Sequence, residues 1–142
     1  MKLSAPHVFE GIVGSVPSST VNAELGIELP SGDKLVAVIT LESVKSLQLT
    51  PGKPVLALIK APWVMLMTDA SGIRLSARNC LASKVTSVNA GAVNAEVVVT
   101  LPGGTELTAI VTNDAVAELG LAPGVAASAV IKASNIILGV PA

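Results

Sequence analysis

The chain has few of the side chains that carry most enzyme chemistry. Its 142 residues include one cysteine (Cys80), one histidine (His7) and no tyrosine, whereas covalent catalysis needs a nucleophile with a base beside it. A single cysteine excludes a disulfide within the chain, and a single imidazole makes a cation site unfavourable. We therefore predict that the protein is not an enzyme and binds no free metal cation. We also predict that Cys80 is buried and inert and that His7 lies on the surface or at an interface.

Aromatic residues and excess positive charge are also scarce. Phe9 and Trp63 are the only aromatic residues, and the formal net charge is −1. Proteins that bind single-stranded nucleic acids combine a basic groove with aromatic platforms on which bases stack. The composition therefore argues against nucleic acid as a partner.

Long apolar runs are absent as well. Runs such as Leu35–Ile39 and Trp63–Met67 are far shorter than the roughly 20 residues that span a bilayer. The segment after Lys2 contains Ser4, Pro6, His7 and Glu10 and is not the apolar segment of a signal peptide. We therefore expect a cytoplasmic protein that has no membrane partner.

The sequence does contain an internal repeat. Shifting the chain by 72 positions aligns residues 3–67 with 75–139 without a gap, and 26 of the 65 pairs are identical, including Val21-Asn22-Ala23-Glu24 with Val93-Asn94-Ala95-Glu96. Two copies are too few for a solenoid. We predict two small domains, residues 1–69 and 70–142.

Apolar residues make up 51% of the chain and charged residues only 13%. A domain of about 65 residues buries a modest fraction of its surface. Contacts between the repeats and between chains would cover the remaining apolar surface, so we expect a homo-oligomer.

Both copies show the same pattern of strand and helix signals. Residues 8–16, 21–29, 34–40, 55–60 and 63–67 are rich in β-branched and apolar residues, as strands are. Residues 40–47 form a short helix, since Leu41, Val44 and Leu47 share one helical face behind a capping Thr40. The fold is predicted to be all-β with short helices, built from two tandem OB-like five-stranded β-barrels.

Several polar residues recur in both copies without an acidic partner in the same motif. They are Ser4 and Ser76, Thr40 and Thr112, and Lys60 and Lys132, with Arg78 next to the second serine motif. Hydroxyl groups, helix N-termini and ammonium groups together suit a small oxyanion. Singly, each residue has a simpler role: the threonine caps a helix, the serine makes a turn and the lysine is solvated. Their joint recurrence favours anion binding.

These motifs resemble those of a known family. The order of Leu75-Ser76-Ala77-Arg78-Asn79, Gly91-Ala92-Val93-Asn94-Ala95-Glu96 and Val130-Ile131-Lys132-Ala133 is similar to the Mop domain of molybdate-binding proteins. The tandem arrangement resembles a di-Mop molbindin along essentially the whole chain. Residues 58–64 are also similar to the Mop segment of the molybdate-dependent transcription regulator.

The resemblance implies OB-like barrels that bind molybdate or tungstate between domains and lend strands to their neighbours. Such a protein would form a homotrimer that stores molybdenum and would have no cofactor besides its oxyanion ligand. The implied ligands are Ser76, the backbone of Ala77, Arg78, Thr40, Ser43 and Lys60, and in the other copy Ser4, Ala5, Thr112 and Lys132. A threefold-axis anion site is implied near Val21, Asn22, Glu24, Val93, Asn94 and Glu96.

The two copies depart from each other at these ligand positions. Ala115 replaces Ser43, and Pro6 replaces Arg78, so two kinds of site of unequal strength are expected. The chain shows no P-loop and no room for a helix-turn-helix domain, so we expect a free-standing storage protein. The alternative is an accessory OB-type interaction module that does not bind anions.

Overall fold

The computed structural model describes residues 7–17, 21–69 and 72–141, and in this part of the chain both repeats have the same elements. The first repeat contains β1 (His7–Ser15), β2 (Asn22–Glu28), β3 (Lys34–Thr40), α1 (Leu41–Ser46), β4 (Pro54–Ile59) and β5 (Met65–Met67). The second contains β6 (Asn79–Ala90), β7 (Asn94–Thr100), β8 (Glu106–Thr112), α2 (Asn113–Leu119), β9 (Ala126–Ile131) and β10 (Ile137–Gly139). A 3-10 turn, Ala61–Trp63 or Ala133–Asn135, precedes the last strand of each repeat. The predicted β fold with short helices is confirmed.

The last strand of each repeat is exchanged with the other repeat. The two antiparallel sheets have the orders β10-β4-β1-β2-β3 and β5-β9-β6-β7-β8. Ile137 of β10 pairs with Leu58 of β4, and Met65 of β5 pairs with Val130 of β9. Each sheet thus contains four strands of one repeat and the fifth strand of the other, so the repeats cannot separate without breaking both sheets.

The core follows the alternation of side chains along the strands. Leu25 and Ile27 of β2 and Leu35 and Ala37 of β3 are fully buried, because residues two apart on a strand point to the same face. The matching residues of the second repeat are buried in the same way: Val97, Val99, Leu107 and Ala109.

Each repeat has a Pro-Gly turn that contacts an irregularity in its first strand. The register of β1 with β2 shifts between Val13 and Ser15, and the amide of Gly52 donates to the Val13 carbonyl at 2.7 Å. Gly52 has φ +91°, a conformation that residues with a Cβ rarely adopt. The turn therefore requires glycine at this position.

The helices are short and capped as predicted. Leu41, Val44 and Leu47 are partly buried against the core, which confirms the predicted apolar face of α1. α2 ends at Gly120 in the left-handed conformation, the usual residue for such a cap. No helix within the described residues is long and apolar enough to cross a membrane.

Exposed apolar side chains recur at matching positions of the two repeats. Met65 and Ile137 are 56% and 53% exposed, and Val21 and Val93 are 66% and 70% exposed. Cys80 is also exposed, as is its counterpart Val8, so the prediction that Cys80 is buried is wrong for this chain. The alternation of β6 buries Asn79 and turns Cys80 to the outer face of the sheet.

Candidate functional site

Thr40 and Thr112, at matching positions of the two repeats, directly precede the two helices. The hydroxyl of Thr40 accepts a hydrogen bond from the Ser43 amide at 3.1 Å and donates to the Ser43 hydroxyl at 2.9 Å. Thr112 accepts from the Ala115 amide at 3.1 Å. Both threonines are therefore N-caps, and the first repeat places a second hydroxyl beside its cap.

The repeated Val-Asn-Ala-Glu strings lie directly against these helix starts. The Val21 carbonyl accepts from the Leu41 amide at 3.0 Å, and the Val93 carbonyl accepts from the Asn113 amide at 2.8 Å. In each repeat the asparagine of the string pairs with the capping threonine across the ladder, Asn22 with Thr40 and Asn94 with Thr112. The structure thus brings together two groups of candidate residues that the sequence shows only as separate motifs.

Arg78 joins the second repeat to the first of these clusters. Its Nε atom lies 3.7 Å from the Glu24 carboxylate, and both side chains are largely exposed, at 64% and 42%. Glu24 pairs with Val38 on β3, two residues before Thr40. Such an exposed ion pair adds little stability, but it shows that the guanidinium reaches the Thr40 end of the first repeat.

Lys132 lies at the same end of the second repeat as Arg78. The β6–β9 ladder pairs Asn79 with Ile131, so the next residues outward on the two strands, Arg78 and Lys132, face each other across the end of the ladder. Lys132 is exposed, and the 3-10 turn that follows it packs against β3 of the first repeat. Two cationic residues therefore lie at the edge of the first repeat that leads to Thr40.

Lys60 lies at the corresponding place on the opposite edge. It directly follows β4, and its ammonium is 5.7 Å from the centre of the Trp63 ring, a cation–π distance. The 3-10 turn Ala61–Trp63 packs against β8 of the second repeat, the strand that ends at Thr112. Within one chain, the segment after Lys60 thus contacts β8, while Lys132 lies opposite Arg78.

The remaining candidate residues are at the starts of the repeats and in the second Val-Asn-Ala-Glu string. Ser76 is exposed and Ala77 half-buried just before β6, whereas Ser4 and Ala5 lie outside the described residues. Asn94 and Glu96 line a surface cavity of about 400 Å³. A cavity of about 500 Å³ elsewhere, between residues 82–84 and 100–102, contains none of the candidates.

Two residues that tie the repeats together were not assigned this role from sequence. Asn79 is 1% exposed; its Oδ1 accepts from the Val36 amide at 2.8 Å and its Nδ2 donates to the Val36 carbonyl at 2.7 Å. The matching residue His7 accepts from the Thr108 amide through Nε2 at 2.7 Å. His7 thus lies at an interface, as predicted, but between the repeats. A polar residue at the same position of both repeats was the signal that could have indicated this role.

The electrostatic character of the candidate clusters is mixed. In the described ranges, no group of three His, Cys, Asp or Glu residues is placed to hold a metal ion. Arg78 and Lys132 supply positive charge at the end of the β6–β9 ladder, with the Glu24 carboxylate next to the guanidinium. We use the name Arg78 edge for Arg78 and Lys132 together with the Thr40 end of the first repeat. This edge offers hydroxyl, guanidinium and ammonium donors, the set that binds oxyanions.

Known proteins with similar sequences are connected with molybdenum. The chain is 45% identical over 140 residues to the molybdenum transport protein ModE of Azotobacter vinelandii, covering 99% of this chain and 52% of that protein. It is 40% identical over 141 residues to the molybdenum-pterin-binding protein MopA of Rhodobacter capsulatus, covering 99% and 53%. The chain therefore spans about half the length of these curated relatives.

Comparison with solved structures and family models gives the fold and the family. The structure of the cytoplasmic molybdate-binding protein ModG with molybdate bound matches with a TM-score of 0.93 and 63% identity, covering 99% of this chain and 100% of that one. The TOBE domain model matches twice, at residues 3–66 and 75–138. These matches take in nearly every described element, and the chain belongs to the TOBE domain family, of which it carries two copies in tandem.

Proposed function

We propose that the protein binds molybdate or tungstate at interfaces between its domains and serves storage and homeostasis of molybdenum in the cytoplasm. The observation that carries the proposal is the match along the whole chain to a cytoplasmic molybdate-binding protein with molybdate bound. The donor chemistry of the Arg78 edge supports it independently, because guanidinium, ammonium and hydroxyl groups are suited to a tetrahedral dianion.

The proposed sites are of two kinds. One kind uses Ser76, the backbone of Ala77, Arg78, Thr40 and Ser43, and the other uses Ser4, Ala5 and Thr112. Lys132 and Lys60 contribute the ammonium groups, and the intrachain placement favours Lys132 for the Arg78 edge and Lys60 for the Thr112 edge. Only the first kind has a guanidinium and a hydroxyl next to the helix cap, so it should bind the dianion more tightly.

The Glu24 carboxylate forms an exposed ion pair with Arg78. An incoming dianion carries more negative charge than one carboxylate and can take two parallel hydrogen bonds from a guanidinium. Arg78 would therefore exchange Glu24 for the anion at a small cost, since the ion pair is exposed.

Assembly is part of the proposal. We infer a homotrimer, supported by apolar side chains that remain exposed at matching positions of both repeats: Val8, Val21, Met65, Val93 and Ile137. In a ring of three, the strings 21–24 and 93–96 would each approach a threefold axis and could provide an additional anion site there. The domains 1–69 and 70–142 would then contribute equally to the assembly, each lending its fifth strand to the other.

The protein is proposed to bind and release its ligand without catalysis. Cys80 and His7 are the only residues of their types. Nε2 of His7 accepts a hydrogen bond from the Thr108 amide, and the exposed Cys80 has no second histidine or cysteine with which to form a catalytic pair. The net charge of −1 also disfavours nucleic acid as a partner.

Isothermal titration of the purified protein with molybdate, combined with native mass spectrometry, tests the function. We expect heat release and a defined number of oxyanion adducts per assembly. Absence of both heat and adducts would instead favour an OB-type interaction module that has lost anion binding.

A further inference from the structure

The hairpin turns of the two repeats contact each other. Their hydrogen bonds involve positions at which the two repeats have different residues. The Asp33 carboxylate accepts from the amides of Gly103 at 2.8 Å and Thr105 at 3.2 Å. The hydroxyls of Ser31 and Thr105 are 2.7 Å apart, and Ser31 also donates to Asp33 at 3.1 Å. We call residues 31–33 and 103–105 together the turn junction.

Asp33 is ionised when it makes these contacts. Partial burial would raise the pKa of Asp33, but hydrogen bonds from the side chain of Thr105, from the amides of Gly103 and Thr105 and from Ser31 outweigh this effect and lower the pKa. The junction therefore has one negatively charged acceptor, on the first repeat, and backbone donors on the second.

Position 103 also has no room for a side chain. A Cβ on Gly103 would lie 2.7 Å from the Asp33 carboxylate and 2.7 Å from the Ser31 carbonyl oxygen. The residue at the matching position of the first repeat is Ser31, which has a Cβ. The turn of the first repeat would therefore not fit in the place of the second.

Pairing of like repeats would lose these interactions. Two copies of the first turn would place Ser31, with its Cβ, where the structure has no room beside Gly103, and would bring the negatively charged Asp33 carboxylates of both copies together. Two copies of the second turn would bring together Gly103 and Thr105 amides without any carboxylate. Only one turn of each kind gives an acceptor, its donors and the necessary space.

We propose that the turn junction selects the partner of each repeat, so that the first repeat exchanges strands with a second repeat and not with another copy of itself. This selectivity is separate from anion binding. The turn junction would thereby ensure that every strand-exchanged pair brings Arg78 of a second repeat to the Thr40 end of a first repeat.

Engineered disulfides can report which repeats have exchanged strands. In a Cys80→Ser background, Leu58→Cys with Ile137→Cys places two thiols on paired strands of unlike repeats, and the crosslink forms within one chain. Leu58→Cys with Met65→Cys would place thiols on paired strands only if two first repeats exchanged strands, and that crosslink joins two chains. Each reporter protein is unfolded under reducing conditions, refolded in a glutathione buffer at a high chain concentration, and analysed on non-reducing gels.

Three turn variants of the full chain then test the junction. Ser31→Gly with Asp33→Thr gives both repeats the second turn, and Gly103→Ser with Thr105→Asp gives both repeats the first turn. All four substitutions together exchange the turns and restore one of each kind. The control, Glu28→Thr, also replaces an acidic residue of the first repeat with its counterpart, Thr100, but outside the junction.

In the parent, the control and the exchanged-turn variant, the reporter with cysteines at positions 58 and 137 should crosslink within the chain. The reporter with cysteines at positions 58 and 65 should give almost no crosslink between chains. Each variant with two equal turns should raise the ratio of interchain to intrachain crosslinks by about tenfold, as expected for losing hydrogen bonds to a charged group. An unchanged ratio in the equal-turn variants, or an exchanged-turn variant that behaves like them, overturns the proposal. If the equal-turn variants do not fold, which circular dichroism would show, the exchanged-turn variant decides alone: a parent-like intrachain crosslink supports selection by the junction, and any other product contradicts it.

Discussion

The Nε2 atom of His7 accepts a hydrogen bond from the Thr108 amide at 2.7 Å, and the ring of His7 stacks on Phe9 with centroids 5.1 Å apart. Thr108 is on β8, the edge strand of its sheet, and Asn79 does the equivalent for Val36 on β3, the edge strand of the other sheet. Edge strands leave amide and carbonyl groups without a ladder partner. Each repeat therefore covers part of the other repeat's open edge with a side chain.

The His7 contact should make stability depend on pH. The pKa of His7 is lowered from its usual 6.5 because burial desolvates the charged ring, an effect that Glu106 opposes only in part. As the pH falls below 6.5, the unfolded state gains a proton before the folded state does, so the free energy of unfolding decreases. Above this pH the imidazole is neutral in both states and the contact contributes fully.

Denaturant unfolding at about pH 7.5 and about pH 5.5 measures the effect, and we expect a decrease of at most about 1 kcal/mol, the usual contribution of one hydrogen bond. In the control variant His7→Asn, which copies the residue of the other repeat, this decrease should be much smaller. Equal decreases in both proteins would show that His7 is not the titrating group.

Removing the Asn79 side chain should destabilise the fold strongly. Asn79→Ala leaves the amide and carbonyl of Val36 and the Ile131 carbonyl without their side-chain partner, at a site that is 1% exposed. Loss of a buried network of this kind costs about 2 to 4 kcal/mol. Asn89→Ala, at an exposed position of the same strand, should change the free energy of unfolding by less than about 0.5 kcal/mol. Similar losses in the two variants would contradict the role of Asn79.

Arg78→Ala should weaken only one kind of anion site. Loss of a hydrogen bond from a charged donor lowers affinity by about one to two orders of magnitude, and the sites without Arg78 should still be filled. Arg74→Ala, which removes the only other arginine, is the control and should bind as the parent does. Molybdate titrations that give the parent's stoichiometry and affinities for Arg78→Ala would remove Arg78 from the proposed site. Lys60→Ala and Lys132→Ala should each affect a complementary set of sites.

Sulfate should compete poorly with molybdate. It is a smaller tetrahedral dianion, so donors positioned for the longer metal–oxygen bonds would not all reach it, and each unpaired buried donor costs about 1 to 3 kcal/mol. Titration of molybdate into protein equilibrated with sulfate measures the competition. Displacement of molybdate by sulfate at equal concentration would be incompatible with a size-selective pocket.

The assembly should sediment as a trimer. Sedimentation equilibrium should give three times the chain mass of 14.2 kDa, because burial of the exposed apolar pairs between chains is favourable. Native mass spectrometry of the same sample should show this mass with and without oxyanion. A stable monomer at micromolar concentration would disprove the trimer and with it the threefold-axis site.

The order of elements and the helix caps could be predicted from the sequence, because they depend on local interactions. Apolar residues at every second position indicate a strand. Thr40 caps its helix through a contact with Ser43, three residues away. Pro51-Gly52 turns the chain because glycine allows a positive φ. The recurrence of these signals 72 residues later was sufficient to predict two equivalent units.

The candidate donors were also recognisable from the sequence, since hydroxyl and cationic residues recurred at matching positions. The sequence did not show which of these donors lie on the same edge. The proximity of Arg78 to Glu24 and the position of Lys132 opposite Arg78 depend on how the repeats pack. Cys80 is predicted to be buried because its counterpart is the apolar Val8, but both side chains are exposed, since the sequence does not show which face of the strand is covered.

The family resemblance implies that strands are lent to a neighbouring domain, but only the tertiary structure decided that β5 and β10 of one chain exchange places. Each is a three-residue strand that follows a 3-10 turn. So short a segment carries no sequence signal that favours one sheet over the other. The exchanged arrangement is accompanied by contacts between residues some 70 to 100 positions apart, such as Asp33 with Gly103 and His7 with Thr108. Such pairings carry no local signal, because their free energy arises only when both repeats are folded and in contact.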